Sequence, residues 1–484
     1  MSLCIGILTH STNSRGGVVH GMALAEALCQ AGHDATLIAP DVTGNGFFRT
    51  PRCATRCIPA VPEPDLPTLV ERRIGEIRNA IRGQYFDVLH AQDPISANAL
   101  ADLVAERRIS GFARTVHHLD YFSHPALAAR QERGVRTAAE LFTVSAVWEN
   151  ILRDNYGRTA PVIGNGVDPV RFIPEPGRQD ETLRARYRLP ADRRLILAVG
   201  GVERRKNTLH VLDAFLALRR EQPDVHLVVV GGASLLDHTA YRTQFDTRLR
   251  DSGKAEHVTI TGPVSDDDMP AFYRQAAVLA YPSVTEGFGL CPLEALSCGT
   301  PAIVPEIAPF TEHFSEMDTL WCHPDSPHTL LSALRDALSP RNRARFRVSG
   351  PATARRFDWC RVAERHMPAY RRLATLSQAS PPLYRSSVTM PEMIFRVRWP
   401  NGQESDCYSP SLVIREYFTP GQDYPVREFL EKADTALTDA SERVRARYGF
   451  ACSRALGQLQ AIRQMGEPFL TRPDALVRVL SFKF

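Results

Sequence analysis

Short apolar runs alternate with helical patterns from the first residues onward. Leu3–Leu8 is apolar, His10–Arg15 is polar, Gly16–Gly17 break the pattern, and Val18–Gln30 is amphipathic up to Gly32. This spacing predicts strand, glycine turn and helix, with a second strand over Ala35–Ala39. Apolar runs at Phe86–His90, Phe112–His117 and Leu141–Val144 predict further strands, with helices over Ser96–Arg107 and Gln131–Ala139 between them. A segment rich in Pro, Gly and charge, Asp168–Asp192, precedes a second cycle of the same kind. There, Leu195–Gly201, Val225–Gly231, Val258–Ile260, Val278–Tyr281 and Ala302–Val304 predict strands, and Leu209–Arg220 a helix. Short buried strands alternating with helices build parallel, doubly wound sheets. The expected class is therefore α/β, with two Rossmann-like domains facing one another across a cleft, the first over residues 1–170 and the second over 171–375.

The rhythm then changes. Leu373–Met390 is rich in Ser, Thr and Pro and has no period, which predicts a linker, placed at residues 376–389. A small α+β domain is expected over residues 390–484. It opens with alternating Ile394, Arg396 and Arg398, and Asn401–Gly402 is a two-residue hairpin signal. Helices are predicted over Pro425–Asp439, Ser441–Arg447 and Ser453–Gln464. No repeat in the range of about 20–50 residues is visible, which argues against a solenoid.

Composition narrows the function classes. The 484 residues suffice for about three domains, and the apolar share of 44% and charged share of 23% are those of an ordinary globular chain. The longest apolar runs fall far short of the roughly 20 residues that cross a bilayer, and the N-terminus lacks a signal-peptide pattern, so a cytoplasmic protein is expected. The ten cysteines include no CxxC pair and no zinc-like spacing; Cys53 and Cys57 form only a CxxxC. A net charge of +4 is too weak to argue for nucleic acid. Lysine is rare: only Lys206, Lys254, Lys432 and Lys483 occur among the 58 basic residues, which singles out Lys206 beside Arg205 in a loop after a strand.

Two glycine-bearing turns carry the candidate chemistry. Gly16–Gly17 leaves backbone N–H groups open at a helix start, a place for phosphate or close substrate approach. It lacks the full GxGxxG spacing, and no acidic residue clearly ends the second strand, which disfavours a nicotinamide cofactor. The richer segment is Tyr281–Thr300. Glu286, Gly287, Phe288 and Gly289 form a loop, Pro292 reads as the first helical position, and Glu294 reads as a first-turn residue. The amides of Phe288 to Leu290 can face one oxyanion, and the two carboxylates can hold different parts of an elongated ligand. Asp266-Asp267-Asp268 precedes a helix and reads as capping and first-turn acid rather than a metal motif.

In chain order, Arg15-Gly16-Gly17, Thr115–His117, Asn165-Gly166-Val167-Asp168, Val199–Asn207 and the pair Glu286 and Glu294 resemble one family. It is the retaining glycosyltransferases of the GT-B, family 4 type, which includes bacterial mannosyl- and glucosyltransferases, and the resemblance spans roughly residues 1–375. It implies that Arg205 and Lys206 neutralise the diphosphate of a nucleotide-sugar donor. Glu294 would hold the ribose, and Glu286 with Gly287, Phe288, Gly289 and Leu290 would hold the donor sugar and phosphate. His117 would contact the donor sugar rather than act as a nucleophile, and with Glu286 it forms the expected catalytic pair. Gly16 and Gly17 belong to the expected donor-binding set, and His90 and Asp93, after another strand end, to the acceptor side. The family usually carries an arginine where this chain has Gly201, so the clamp is expected to rest on Arg205 and Lys206. The implied reaction is metal-independent hexosyl transfer by front-face attack with retention. It uses no cofactor beyond the donor, and its acceptor is an unidentified small molecule, glycan or lipid. Lipid acceptors among related enzymes imply peripheral membrane contact.

The tail resembles small bacterial proteins linked with nitrogen starvation, on Trp399-Pro400, the stretch from Cys407 to Ile414, Tyr448-Gly449-Phe450 and Cys452-Ser453. An internal Met390 after a linker looks like two genes joined in frame. Other readings of the whole are a nucleotide-sugar sensor with the tail as output module, or an epimerase or phosphorylase on the same architecture. Turnover by the purified protein separates transferase from sensor.

Overall fold

In the first half, strands and helices alternate as β1 (Cys4–Leu8), α1 (Gly16–Gln30), β2 (Asp34–Asp41), β3 (Ala54–Pro59), α2 (Leu66–Ile81), β4 (Val88–Ala91), α3 (Pro94–Ala105), β5 (Ala113–Val116), α4 (Pro125–Thr137), β6 (Glu140–Thr143) and α5 (Ala146–Tyr156). In this computed structural model, which describes residues 2–232, 238–379, 393–448 and 453–483, the six strands form one sheet in the order β3-β2-β1-β4-β5-β6. Every neighbouring pair is parallel. The inner strands are buried on both faces, as their near-continuous apolar sequences require.

The second half repeats the plan with α6 (Asp180–Arg186), β7 (Arg194–Val199), α7 (Thr208–Glu221), β8 (Val225–Val230), α8 (Thr239–Asp251), β9 (Val258–Gly262), α9 (Met269–Gln275), β10 (Ala276–Ala280), α10 (Leu290–Ser297), β11 (Ala302–Pro305), α11 (Phe310–His313), β12 (Leu320–Cys322), α12 (Pro327–Leu338), α13 (Pro340–Ala354) and α14 (Trp359–Ala379). Its sheet runs β12-β11-β10-β7-β8-β9, again all parallel. Both sheets thus reverse direction beside their first strand, between β1 and β4 and between β7 and β10. Loops part at these switch points and leave a crevice at the carboxyl ends of the strands, the usual ligand position in such sheets.

The structure corrects several expectations. Helix α14, expected to belong to the second half, returns to the first: Tyr370 Oη lies 2.6 Å from His90 Nδ1, Arg365 donates to the Ile163 carbonyl at 2.9 Å, and Arg372 clamps Glu140 at 2.7 and 2.8 Å. The helix also runs to Ala379, past the expected start of the linker, because Leu373 and Ala374 still bury apolar surface. The rest of that linker, and Met390, lie outside the described residues. Strands β3 and β12 escape the apolar pattern, the first because it is a sheet edge with exposed Ala54 and Thr55, the second because it is three residues long.

A second unit comprises β13 (Met393–Arg398), β14 (Glu404–Ser409), α15 (Ile414–Tyr417), β15 (Asp423–Pro425), α16 (Val426–Tyr448), α17 (Ser453–Gly466) and β16 (Leu476–Lys483). Its antiparallel sheet has the order β14-β13-β16-β15 and packs Phe395, Val397 and Val479 against Phe429, Ala433 and Ile462 of the helices. The hairpin loop spans Pro400–Gly402 rather than two residues, since Trp399 N–H meets the Gln403 carbonyl at 2.8 Å and Gly402 takes the left-handed φ of 85° that ends such a loop. The two helices expected over residues 425–447 are one, α16.

Candidate functional site

The loops after β7 and β10, on either side of the second sheet's switch point, meet at Glu286. Its Oε1 accepts from Lys206 Nζ at 2.6 Å, Arg205 Nη1 at 2.7 Å and Tyr281 Oη at 3.0 Å, and Lys206 also bonds the Tyr281 hydroxyl. Burial alone would raise this carboxyl; Lys206 and then Arg205 overcome that and hold it at about 2. The same burial pushes the Tyr281 hydroxyl well above its ordinary value, so it serves as a donor. Lys206 further sits 4.4 Å from the centre of the Tyr281 ring. Backbone geometry makes the approach possible: Gly200 has φ 116°, and a Cβ there would meet the Lys206 side chain at 2.6 Å.

Glu294 lies deeper, on α10. Its Oε2 accepts from Tyr273 Oη at 2.7 Å, and burial raises its carboxyl to about 7. Gly289, with φ 101°, starts α10 at Leu290, two residues earlier than Pro292 suggests; Glu294 therefore falls beyond the first turn, a correction to its expected place. Gly289 has no room for a side chain, because a Cβ would lie 2.6 Å from the Phe310 ring. Phe288 is buried against His313, with ring centres 4.1 Å apart.

From the first half, His117 and Gly17 meet at the other switch point. Gly17 is in the first turn of α1, and a Cβ there would touch His117 Cδ2 at 3.4 Å, while His117 Nε2 lies 3.1 Å from Gln92 Oε1. Gly16 is likewise helical and faces open space. Burial drives His117 well below its ordinary pKa, so the ring is neutral. His20 packs edge-on against it at 4.7 Å, and the buried His20 Nε2 and Gln92 Nε2 have no hydrogen-bond partner.

The two halves touch at the loop that carries Glu286. Ser145 Oγ donates to the Gly287 carbonyl at 2.7 Å, and Trp148 Nε1 donates to the Glu286 carbonyl at 3.0 Å. In return Glu312 accepts from the first amides of α5, Ala146 at 2.6 Å and Val147 at 2.9 Å. A Cβ on Gly287 would sit 2.3 Å from the His117 carbonyl oxygen, so only glycine fits where the halves approach. Sequence reasoning missed Tyr281, Tyr273, Ser145, Trp148 and Glu312. Tyr281 was the accessible one, since it ends the strand that leads into the Glu286 loop.

One of the two expected acceptor-side residues, His90, is corrected. His90 is fully buried, with Nδ1 at 2.6 Å from Tyr370 Oη and Nε2 at 2.9 Å from Thr115 Oγ1, so both ring nitrogens are engaged inside the fold. Asp93 caps α3 through Ser96 N–H at 2.8 Å and faces His10 at 3.5 Å. The acidic run is held by arginines: Asp266 faces Arg171 at 2.5 Å, and Asp268 takes Arg186 at 2.7 Å. Among the described residues, no group of three or more His, Cys, Asp or Glu is arranged to hold a metal, and no helix is long and apolar enough to cross a membrane.

Comparison with known proteins matches this architecture. The model of the glycosyl transferase 4-like domain matches residues 15–166, that of glycosyl transferases group 1 matches 179–350, and that of the nitrogen starvation-induced protein NitG matches 394–482. The chain is 29% identical over 328 residues to a D-inositol 3-phosphate glycosyltransferase of Kineococcus radiotolerans, covering 62% of this chain and 74% of that protein. It is also 29% identical over 291 residues to a GDP-mannose-dependent alpha-(1-6)-phosphatidylinositol monomannoside mannosyltransferase of Mycolicibacterium smegmatis, covering 56% and 72%. Among solved structures, sucrose-phosphate synthase from Thermosynechococcus elongatus has a TM-score of 0.63 at 20% identity, covering 77% of this chain and 99% of that one. Anabaena HepE in complex with UDP-glucose has a TM-score of 0.61 at 16% identity, covering 76% and 100%. Fold and matches together define a GT-B glycosyltransferase. The chain carries a glycosyl transferase 4-like domain, a glycosyl transferases group 1 domain and, at its C-terminus, a NitG domain.

Proposed function

We propose that the protein transfers a hexose from a nucleoside diphosphate sugar with retention of configuration and without a metal ion. The observation that carries this reading is the convergence of Lys206 and Arg205 on one carboxylate at the switch point of the second sheet. Two fixed cations there suit a diphosphate, which would displace Glu286 from them and free that carboxylate for hydroxyls of the donor sugar. Glu294, one helix turn further in, would accept from the ribose hydroxyls. His117 would approach the donor sugar from the opposite half as a neutral hydrogen-bonding group.

In the step itself, the acceptor hydroxyl oxygen bonds to the anomeric carbon as the bond from that carbon to the phosphate oxygen breaks. The electron pair leaves with the nucleoside diphosphate, and the hydroxyl proton ends on the departing phosphate oxygen. Lys206 and Arg205 stabilise the charge that develops on that group, the task a metal performs elsewhere. Asp266 and Asp268 of the acidic run serve ion pairs instead. Retention and hexose transfer rest on the family resemblance.

A panel of UDP-, GDP- and ADP-sugars tests the reading by binding and slow hydrolysis. One donor is expected to bind wild type and to be lost by Lys206→Ala and Glu294→Ala, with turnover unaffected by EDTA. A wild type that binds none of them overturns the proposal, and an inverted anomer in the product overturns retention.

A further inference from the structure

Beside this site, a cavity of about 470 Å³ opens between the loop after β5, α4 and α5. That volume falls in the range of roughly 300–1,000 Å³ typical of small-molecule sites. It reaches the site at two points. Trp148 on its wall is the residue that holds the Glu286 carbonyl. Asp120, also on the wall, is raised by burial but brought below its ordinary value by His118 and by Arg205 across the cleft. The cavity therefore adjoins both the loop and the cation that face the donor.

Its lining is aromatic and acidic. Tyr121 stands 94% exposed at the rim, with Trp148 and Tyr156 behind it. Flat aromatic faces cover the C–H face of a sugar ring, and a carboxylate accepts from its hydroxyls. Asp120 is held for that purpose: Gln131 accepts from its N–H and donates to its carbonyl, both at 2.9 Å. Arg136, the cation on the lining, is already engaged, paired with Glu132 at 2.7 Å and lying 5.6 Å from the Tyr156 ring centre. A phosphate entering here would meet that neutralised pair and the Asp120 carboxylate, which faces His118 at 3.4 Å, but no unpaired cation on the lining.

We infer that this cavity is the acceptor subsite and that it takes an uncharged polyhydroxyl compound, a neutral sugar or glycan, in place of a phosphorylated one. The inference rests on the transferase reading above. It separates this chain from relatives whose names specify inositol 3-phosphate or phosphatidylinositol.

The test uses the full chain and whichever donor the wild type hydrolyses. Release of nucleoside diphosphate is followed with glucose, mannose, maltose and myo-inositol, and with glucose 6-phosphate, mannose 6-phosphate and inositol 1-phosphate. A neutral compound is expected to accelerate release while its phosphorylated counterpart does not. Tyr121→Ala should raise the acceptor KM about tenfold, the effect of one lost aromatic face, with an unchanged melting temperature showing an intact fold. Glu132→Lys should let the phosphorylated counterpart in. The inference is overturned if phosphorylated compounds accelerate the wild type as well as neutral ones, if no neutral compound does so while the donor is hydrolysed, or if Tyr121→Ala leaves the acceptor KM where it was. A wild type that hydrolyses no donor fails earlier, at the transferase reading, and removes the inference with it.

Discussion

At Gly287 a single hydrogen atom decides whether the halves can meet. The His117 carbonyl oxygen would lie 2.3 Å from an added Cβ, and both partners are backbone, so neither can swing aside. Gly287→Ala must therefore push the Glu286 loop off the first half, and donor hydrolysis is expected to fall by about a hundredfold or more, as misplacements of roughly 1 Å do. Wild-type rates in that variant would show that the halves need not approach. Glu294 makes a second residue-scale prediction. Burial holds its carboxyl at about 7, and the ionised form is the one that only accepts, as two ribose hydroxyls require. Nucleotide affinity measured by calorimetry should therefore strengthen from about pH 6 to 8 in wild type and stay flat in Glu294→Gln; parallel slopes in the two proteins would refute the role. The same raised value works against folding. Relative to its ordinary 4.5, the stability this group contributes is complete below that pH and lost as pH rises to about 7.

At the scale of elements, α5 has its N-terminal amides satisfied from the other half of the fold. Ser145 is in the N-cap position, but its side chain reaches Gly287 instead of its own helix, and the Glu312 carboxylate takes the amides of Ala146 and Val147. An acid at a helix N-terminus is worth about 1–2 kcal/mol, here applied to closure of the cleft. Glu312→Ala should thus raise the radius of gyration in solution scattering and lower turnover more than nucleotide affinity, whereas an unchanged radius would make Glu312 a local cap only. No local pattern announces such a latch. The buried strands were legible because short apolar runs report burial directly; a glycine turn marked Glu286 and rarity marked Lys206, while the grouping of both with Arg205 was expected only from the family resemblance. Tyr273 on α9, Trp148 on α5 and Glu312 on α11 acquire meaning only through tertiary proximity. His90 misled for the converse reason: a histidine at a strand end reads alike whether it faces a cleft or, as here, Tyr370 of a helix that returns from far along the chain.

For the whole molecule, the returning helix α14 closes over a set of buried, neutral histidines. His20, His90 and Phe142 lie beneath it, against His366 and Tyr370 on its buried face, and burial depresses all three histidines: His20 to about 4, His366 to about 3, and His90 well below its ordinary 6.5. The sign follows from the unfolded chain taking up protons first. Stability from these groups is complete above about pH 6.5 and lost progressively as pH falls from there toward 4, whereas the depressed carboxyl of Glu286 contributes fully until pH drops below 4.5. All 15 histidines of the chain lie at or before residue 366, so the NitG domain has none. Acidification from pH 7.5 to 5 restores the contribution of Glu294 but costs that of several buried histidines, so it should weaken only the glycosyltransferase unit. Hydrogen exchange on the full chain is expected to show falling protection in β4, β5 and α14, with β13, β14 and α16 unchanged over the same interval. Equal loss in both units would mean that the buried histidines do not set the acid limit, and His366→Phe, which removes one titrating group from the buried face of α14, should extend the stable range of the first unit downward if they do.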